Sequence, residues 1–353
     1  MLTTHTYFPE HHPQDPFLDT PLDTEWVSDQ AIVQANRRVR AHVRKTPLLR
    51  APRFGGWLKL ENLQHTGAYK VRGALNALTE AFERGDRRGV IAASAGNHSS
   101  GVAFAAAQLG LDAWAVMPRT TPNAKVVMTR RFGARVILHG HTYEDAHLHA
   151  LSLAQEHGLR LVPAFDDQQI IAGQASLGVE LEAFNPAVVY VPVGGGGLAA
   201  GVGLALRRSN ARVIGVQVEG VDGMYRAFHG YPPLERAAPT IADGVHVVRP
   251  GTLTSAICRE VLDAVELVSE EEVRATMLDL FETERVLTEG AGALAAAAMR
   301  RNPGERSVAI VSGGNVDLPS LASLRATERS SSSSSLPAPS SSFPSEPYLP
   351  HRR

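Results

Sequence analysis

The sequence predicts an α/β protein made of two three-layer α/β/α subdomains with mostly parallel sheets. Three observations predict it. Short apolar runs without polar alternation recur along the chain, as expected of strands buried on both faces. Helical stretches with their own start and stop signals separate these runs. At 353 residues the chain is long enough for two packed subdomains sharing a cleft.

In chain order, Val90-Ile91-Ala92-Ala93 reads as a strand, followed by a helix from about Ser99 to Leu109 that Gly110 stops. Ala113 to Met117 is the next strand. Thr121-Pro122 then offers an N-cap and a proline at the first helical position, and Gly133 closes that helix. Arg135 to Leu138 is a third strand, and Thr142 to His157 a helix ended by Gly158. Ala187 to Val193, Arg212 to Val218 and Ser307 to Val311 complete the set of apolar runs. Such β-α repetition argues for parallel sheets covered by helices. The expected division is a large domain over 26–87 and 164–327 and a small one over 88–163. Residues 1–25, rich in Pro, His and Asp, read as an arm. The Ser/Pro tract over 328–353 cannot bury enough surface to fold and is expected to be disordered.

Composition narrows the function classes. Lys plus Arg total 35 against 36 acids, a balance that gives no support for nucleic acid or a membrane surface as partner. No run reaches the ~20 apolar residues of a spanning helix. The N-terminus lacks the basic and apolar regions of a signal peptide, so a cytoplasmic location is expected. The single cysteine, Cys258, excludes an intramolecular disulfide and a multi-thiolate metal site within one chain.

Three constellations carry chemistry. The first is Thr66-Gly67-Ala68-Tyr69-Lys70-Val71-Arg72-Gly73-Ala74, after which Val71, Leu75, Leu78 and Phe82 fall at helical spacing. Lys70 therefore starts an amphipathic helix, whose positive end disfavours a cation. Desolvated there, its amine would have the lowered pKa that attack on an aldehyde requires; the alternative is a solvated first-turn lysine. The second is Ser94-Ala95-Gly96-Asn97-His98, between a strand and a helix. Its backbone N–H groups and short amide suit a carboxylate, and the alternative is a helix cap by Asn97 or Ser94. The third is Val193-Gly194-Gly195-Gly196-Gly197-Leu198. Four glycines let the backbone wrap round a phosphate at a helix N-terminus, rather than merely form a tight turn. It is neither a Walker loop nor a dinucleotide fingerprint, since the spacing of both is absent. Ser312-Gly313-Gly314-Asn315 ends the last strand. All of these segments lie at carboxyl ends of strands, where α/β sheets bind ligands.

Together, in this order and with Thr240 to Val245 (TIADGV) between them, the segments resemble the fold-type-II, tryptophan-synthase-β-like pyridoxal-phosphate enzymes. Within that family they are most similar to the threonine/serine dehydratase branch, over roughly Val33 to Leu324. The resemblance implies pyridoxal 5'-phosphate as cofactor and β-elimination from L-threonine or L-serine, giving a 2-oxo acid and ammonia. It implies that Lys70 is the Schiff-base lysine and moves the α-proton, with Tyr69 packed beside the cofactor. Asn97 would hydrogen-bond the cofactor's 3′ oxygen, while Ser94, Ala95, Gly96, Asn97 and His98 bind the substrate carboxylate. Gly194, Gly195, Gly196, Gly197 and Leu198 would hold the phosphate, and Ser312 the pyridine nitrogen. A hydroxyl there, unlike a carboxylate, does not keep the ring protonated, which favours prompt loss of the β-substituent. A homodimer or homotetramer is implied as well.

Two departures matter. Racemase relatives have an acidic serine just before the Gly-Asn, where this chain has Ala95. Several relatives hold a monovalent or divalent cation through a glutamate and a nearby aspartate; Glu219 and Asp222 match this loosely, so Glu219 is the candidate ligand. Only the Ser/Pro tract follows SGGN, where isoleucine-inhibited relatives carry a regulatory domain. Isoleucine is therefore expected to leave the rate unchanged, and a strong fall on titrating it into the purified enzyme would contradict this. Rival readings are a dehydratase for 3-hydroxyaspartate or phenylserine, a serine-racemase-like enzyme, a β-replacement enzyme, or a cofactor-free binding protein. His139, His141, His147 and His149 do not read as a metal site, because residues two apart on a helix face different ways. Glu289, in a family segment near the cofactor ring, is equally readable as the start of a helix.

Overall fold

The computed structural model describes residues 27–317, 321, 322 and 324; the arm and the Ser/Pro tail fall outside them. In chain order the elements are α1 (Asp29–Arg40), β1 (Leu48–Ala51), β2 (Gly56–Leu60), α2 (Lys70–Glu83), β3 (Val90–Ala93), α3 (Asn97–Leu109) and β4 (Ala113–Met117). Next come α4 (Asn123–Arg131), β5 (Arg135–Leu138), α5 (Tyr143–His157), β6 (Arg160–Leu161), α6 (Gln168–Glu182), β7 (Val188–Pro192) and α7 (Gly197–Leu206). The chain continues through β8 (Arg212–Val218), α8 (Gly223–His229), α9 (Thr252–Val261), β9 (Ala264–Val268), α10 (Glu270–Glu284), α11 (Gly290–Arg301) and β10 (Ser307–Val311).

They form two sheets. One has six strands in the order β1-β2-β10-β7-β8-β9, the other four in the order β5-β4-β3-β6. Every pairing is parallel except β1 with β2. The missing alternation has a direct cause, since the inner strands of each sheet are buried on both faces. In β10, Ala309 and Val311 enter the core beneath α10 and α11, while Val308 and Ile310 enter the core beneath α1, α6, α7 and α9. In β3, Val90 and Ala92 pack with α2 and α3, and Ile91 and Ala93 with α5. Each such Val or Ile side chain contributes about 1.5–3 kcal/mol by leaving water.

Local chemistry sets most boundaries. Thr142 and Asp145 form a capping box on α5, and Gly158 ends it in the left-handed conformation. Gly110 ends α3 the same way. Two expectations need correction. Pro122 is the N-cap of α4 rather than its first helical residue, and the buried Thr121 hydroxyl caps nothing. Helix α3 starts at Asn97, two residues before the expected Ser99. The antiparallel β1–β2 pair and β9 carry no strong signal. Pro52 and Gly55 interrupt the first, and β9 buries only Val265 and Val268 fully.

Helix α2 bridges the two sheets, packing against both α3 and α6. Its first turn lies so close to α3 that a Cβ on Gly101 would sit 3.1 Å from the Lys70 carbonyl carbon. An ion network centred on the fully buried Arg72–Glu61 pair fixes it from the other side. Arg72 donates to Glu61 at 2.8 Å through both Nε and Nη2, and to Glu180 at 2.8 Å.

Candidate active site

The segment before α2 is tied to the end of β10. Ala68 bridges Gly313, and the Tyr69 amide donates to the Ser312 carbonyl at 3.0 Å. This puts Lys70 and Ser312 side by side although 242 positions separate them in sequence. The chain has four lysines. Lys59 pairs with Glu180, Lys125 with Asp243, and Lys45 is exposed. Lys70 is the desolvated one without a carboxylate partner among the described residues. Its Nζ donates to the Ala164 carbonyl at 2.7 Å and lies 5.4 Å from the centroid of the Tyr69 ring. Burial lowers its pKa to about 8, and the positive end of α2 acts in the same sense. Neighbouring His98 is buried and held neutral. Desolvation, then the Lys70 charge, push its pKa to about 3, so Nε2 donates to the Val162 carbonyl at 2.9 Å.

The Ser94–His98 loop leaves β3 and opens α3. No side chain caps this helix, so the cap reading of Asn97 and Ser94 is not what the structure shows. The Ser94 hydroxyl instead accepts from the Gly96 amide at 3.2 Å. Asn97 is engaged at both ends of its amide. Nδ2 donates to Glu289 Oε1 at 2.6 Å, and Oδ1 accepts from Asn315 Nδ2 at 2.7 Å, which also donates to the Thr66 carbonyl at 2.8 Å. The rotamer is thereby locked, leaving the second N–H of Nδ2 to face a ligand. Glu289 does precede α11, but its side chain does not cap it. Burial, then the Asp243 charge, raise its pKa to about 7, partly offset by the Asn97 hydrogen bond. Gly313 is required beside it, because a Cβ there would lie 2.2 Å from Glu289 Oε1.

The tetraglycine turn follows β7 and opens α7. Gly196 has φ +97°, a conformation that side chains resist. Its carbonyls face α9. Thr254 Oγ1 donates to Gly195 O at 2.5 Å, and Cys258 Sγ lies 3.8 Å from Gly196 O. In a trans peptide the N–H points opposite to the C=O, so the Gly196 amide turns away from α9. No backbone acceptor outside a helix or strand pairs with the amides of Gly194, Gly195 or Gly196 among the described residues. Free amides at a helix N-terminus fit a phosphate. The turn also reaches the lysine. Phe165, next to the carbonyl that holds Lys70, packs so closely that a Cβ on Gly195 would meet its ring at 2.4 Å and one on Gly197 its Cα at 3.1 Å. Ser312 is buried, with Oγ 3.5 Å from the Ala291 carbonyl, too long to commit it.

A cavity of about 460 Å³ opens on the Asn97–Glu289 side of these groups, bounded by Gly96, Asn97, Lys125, Asp243, Glu289 and Asn315; Lys70, the tetraglycine turn and Ser312 do not line it. The structure thus brings Tyr69, Lys70, Ser94 to His98, Gly194 to Leu198 and Ser312 into one neighbourhood. Sequence reasoning missed Ala164, Phe165 and Asp166, the engagement of Glu289 and Asn315 with Asn97, and Thr254. Asp166-Asp167 ahead of an apolar helical run was the one visible signal. Glu219 gains no support as a metal ligand. It is exposed, while Asp222 Oδ2 is taken by Arg226 at 3.0 Å. No group of three or more His, Cys, Asp or Glu among the described residues is arranged to hold a metal. His149 stacks on His139 and His147 on Tyr143.

Residues 39–313 match the model of the family described as pyridoxal-phosphate dependent enzyme. The chain is 41% identical over 304 residues to the catabolic L-threonine dehydratase of Escherichia coli K12, covering 81% of this chain and 92% of that one. Among solved structures, the processed threonine deaminase isoform 2 of Solanum lycopersicum superposes with a TM-score of 0.76 at 35% identity. That match covers 84% of this chain and 93% of the other. The serine racemase of Dictyostelium discoideum gives a TM-score of 0.76 at 31% identity, covering 83% and 100%. The chain belongs to the pyridoxal-phosphate dependent enzyme family.

Proposed function

We propose that this chain is a pyridoxal-phosphate-dependent dehydratase that removes the β-hydroxyl and amine of L-threonine or L-serine, releasing a 2-oxo acid and ammonia. The observation that carries the reading is the meeting of a desolvated, carboxylate-free Lys70 amine with the tetraglycine turn across Ala164-Phe165. The relatives named as threonine dehydratase and threonine deaminase support the substrate class.

The bound cofactor supplies an electron sink for the pair left at the substrate α-carbon. The rest falls to the protein. Lys70 Nζ, whose pKa lowered to about 8 leaves roughly a tenth of it neutral at pH 7, would hold the cofactor's aldehyde carbon and, once the substrate amine takes its place there, would be free to take the α-proton. In the Ser94–His98 loop the Ser94 amide is bonded to the Val116 carbonyl and the Gly96 amide to the Ser94 hydroxyl, so the amides of Ala95, Asn97 and His98 would hold the substrate carboxylate, and the locked Asn97 side-chain amide would donate to the cofactor's ring oxygen. The Gly194–Leu198 amides would hold the phosphate. The Ser312 hydroxyl would be the partner of the pyridine nitrogen, without fixing a proton on it.

Ala95 carries no proton for the opposite face of the α-carbon, which argues against racemisation as the main reaction. Release of 2-oxo acid across L-threonine, L-serine, 3-hydroxyaspartate and phenylserine, with the chirality of residual substrate, tests the reading. Fastest release from threonine or serine without inversion is expected; inversion outpacing release would favour the racemase. Because the attacking amine must be neutral, cofactor uptake should slow as pH falls through about 8, read from growth of the visible cofactor band.

We read 26–87 with 164–327 as the cofactor-binding domain and 88–163 as the substrate-loop domain. We further infer a cytoplasmic homodimer or homotetramer. No described helix is long and apolar enough to cross a membrane, and light scattering of the purified protein tests the subunit number.

A further inference from the structure

We propose that Asp166 is a positioning residue for the phosphate-binding turn, acting through the first turn of α9 and the Thr254 hydroxyl. The proposal rests on reading Gly194 to Leu198 as the phosphate cradle.

Helix α9 has Gly251 at its N-cap and no capping side chain of its own. Its orphan amides are capped from a distant segment. Asp166 Oδ1 accepts from the Thr254 amide at 3.0 Å and Oδ2 from the Thr252 amide at 3.1 Å. The approach is close enough that a Cβ on Gly251 would lie 2.1 Å from Asp166 Oδ1, so this cap needs glycine at the end of α9. A carboxylate on two first-turn amides also meets the positive end of the helix.

What this cap holds in place is the turn itself. The Gly195 carbonyl accepts from Thr254 Oγ1 at 2.5 Å and from the Gly251 amide at 3.4 Å. One helical turn further on, Cys258 stands against Gly196 O. Its thiol, pushed by burial up to about 12, remains a protonated donor. Thr254 holds the Gly195 carbonyl toward α9, whereas the Gly196 carbonyl also takes the first hydrogen bond of α7, from the Ala200 amide at 2.9 Å. Planarity and trans geometry then aim the Gly196 amide at the opposite side, where the phosphate would lie. Glycine has no side chain to set the orientation of that peptide, so it is set from α9. Asp166 is also one residue from Phe165, which packs on Gly195 and Gly197, and two from Ala164, which holds Lys70. Asp167 separately caps α6 through the amides of Gln169 and Ile170. The segment 164–167 is therefore a clasp that sets the lysine, the turn and two helix starts relative to one another.

The test compares pyridoxal phosphate with pyridoxal, which has the aldehyde but no phosphate. Dissociation constants for both are measured on the full-length wild type, Asp166→Ala, Asp166→Asn and Thr254→Val, by equilibrium dialysis with the visible cofactor band as readout. Asp166→Ala should weaken pyridoxal phosphate roughly five- to tenfold, the scale of a lost helix cap, and leave pyridoxal unchanged. Asp166→Asn, still an acceptor, should restore most of the affinity. Thr254→Val, which keeps the shape and removes the hydroxyl, should repeat the selective loss even if Asp166→Ala folds poorly. Equal weakening of both ligands, or no change in either variant, overturns the proposal. A wild type that takes up neither ligand overturns the underlying reading of the cradle as well.

Discussion

Lys70→Ala is expected to abolish the visible cofactor band and to lower 2-oxo acid release from L-threonine by at least about 10³-fold. The substitution removes both the nucleophile that holds the cofactor and the base that moves the α-proton, and positioned proton transfer alone is worth roughly 10²–10⁴-fold. A 10³-fold loss corresponds to about 4 kcal/mol of transition-state stabilisation. The fold should survive, because Nζ makes its hydrogen bond to one loop carbonyl, at Ala164, and the stem contributes little to the core. The two readouts therefore separate from stability. Thermal unfolding should shift little while absorbance and rate collapse together. A variant that kept the band would show that another amine carries the cofactor.

Arg72→Ala is expected to act on stability instead, lowering it by about 3–5 kcal/mol. Arg72 and Glu61 are both fully buried. Removing the guanidinium leaves Glu61 with the Thr46 hydroxyl and the charge of Lys59 to offset its desolvation. Burial pushes the Glu61 pKa up, but the charge and hydrogen bonds of Arg72, with Thr46 and Lys59, hold it below its ordinary 4.5. In the wild type the pair therefore stabilises the fold above that value, and the contribution is lost as pH falls through the lower folded pKa. In the variant burial dominates, so folded Glu61 titrates above 4.5 and its uncompensated charge is relieved on acidification. The gap in unfolding midpoint, on the order of 10 °C at neutral pH, should narrow as pH approaches 4.5. A gap that widened instead would remove Glu61 from the account. Because Arg72 lies two residues beyond Lys70 on α2, the same network anchors the turn that presents the amine.

The fold was legible where the physics is local. Strands buried on both faces read as continuous apolar runs, and β4, β8 and β10 fall where Ala113–Met117, Arg212–Val218 and Ser307–Val311 were expected; the half-exposed β5 at the sheet edge also falls at its expected Arg135–Leu138. The candidate site was legible where function concentrates glycine or a lone lysine at a strand-helix junction, as at Gly194 to Gly197 and Lys70. What escaped depends on contacts across the fold. The partner of Asn97 is Glu289, 192 positions away, and nothing in their neighbours announces the pairing. Asp166 caps a helix 88 positions distant, and nothing in its neighbours announces that partner. Thr121 shows the converse failure. Its sequence is that of a capping residue, yet the helix starts one residue later and its hydroxyl is buried without a partner among the described residues.

The central claim is that one particular amine, facing the tetraglycine turn, holds the cofactor. Borohydride reduction of the holoenzyme, followed by proteolysis and mass mapping, tests it most directly, because the chain offers only Lys45, Lys59, Lys70 and Lys125. The account predicts a single cofactor-bearing peptide, modified at Lys70. Label on Lys45, Lys59 or Lys125, or on no lysine, would contradict it.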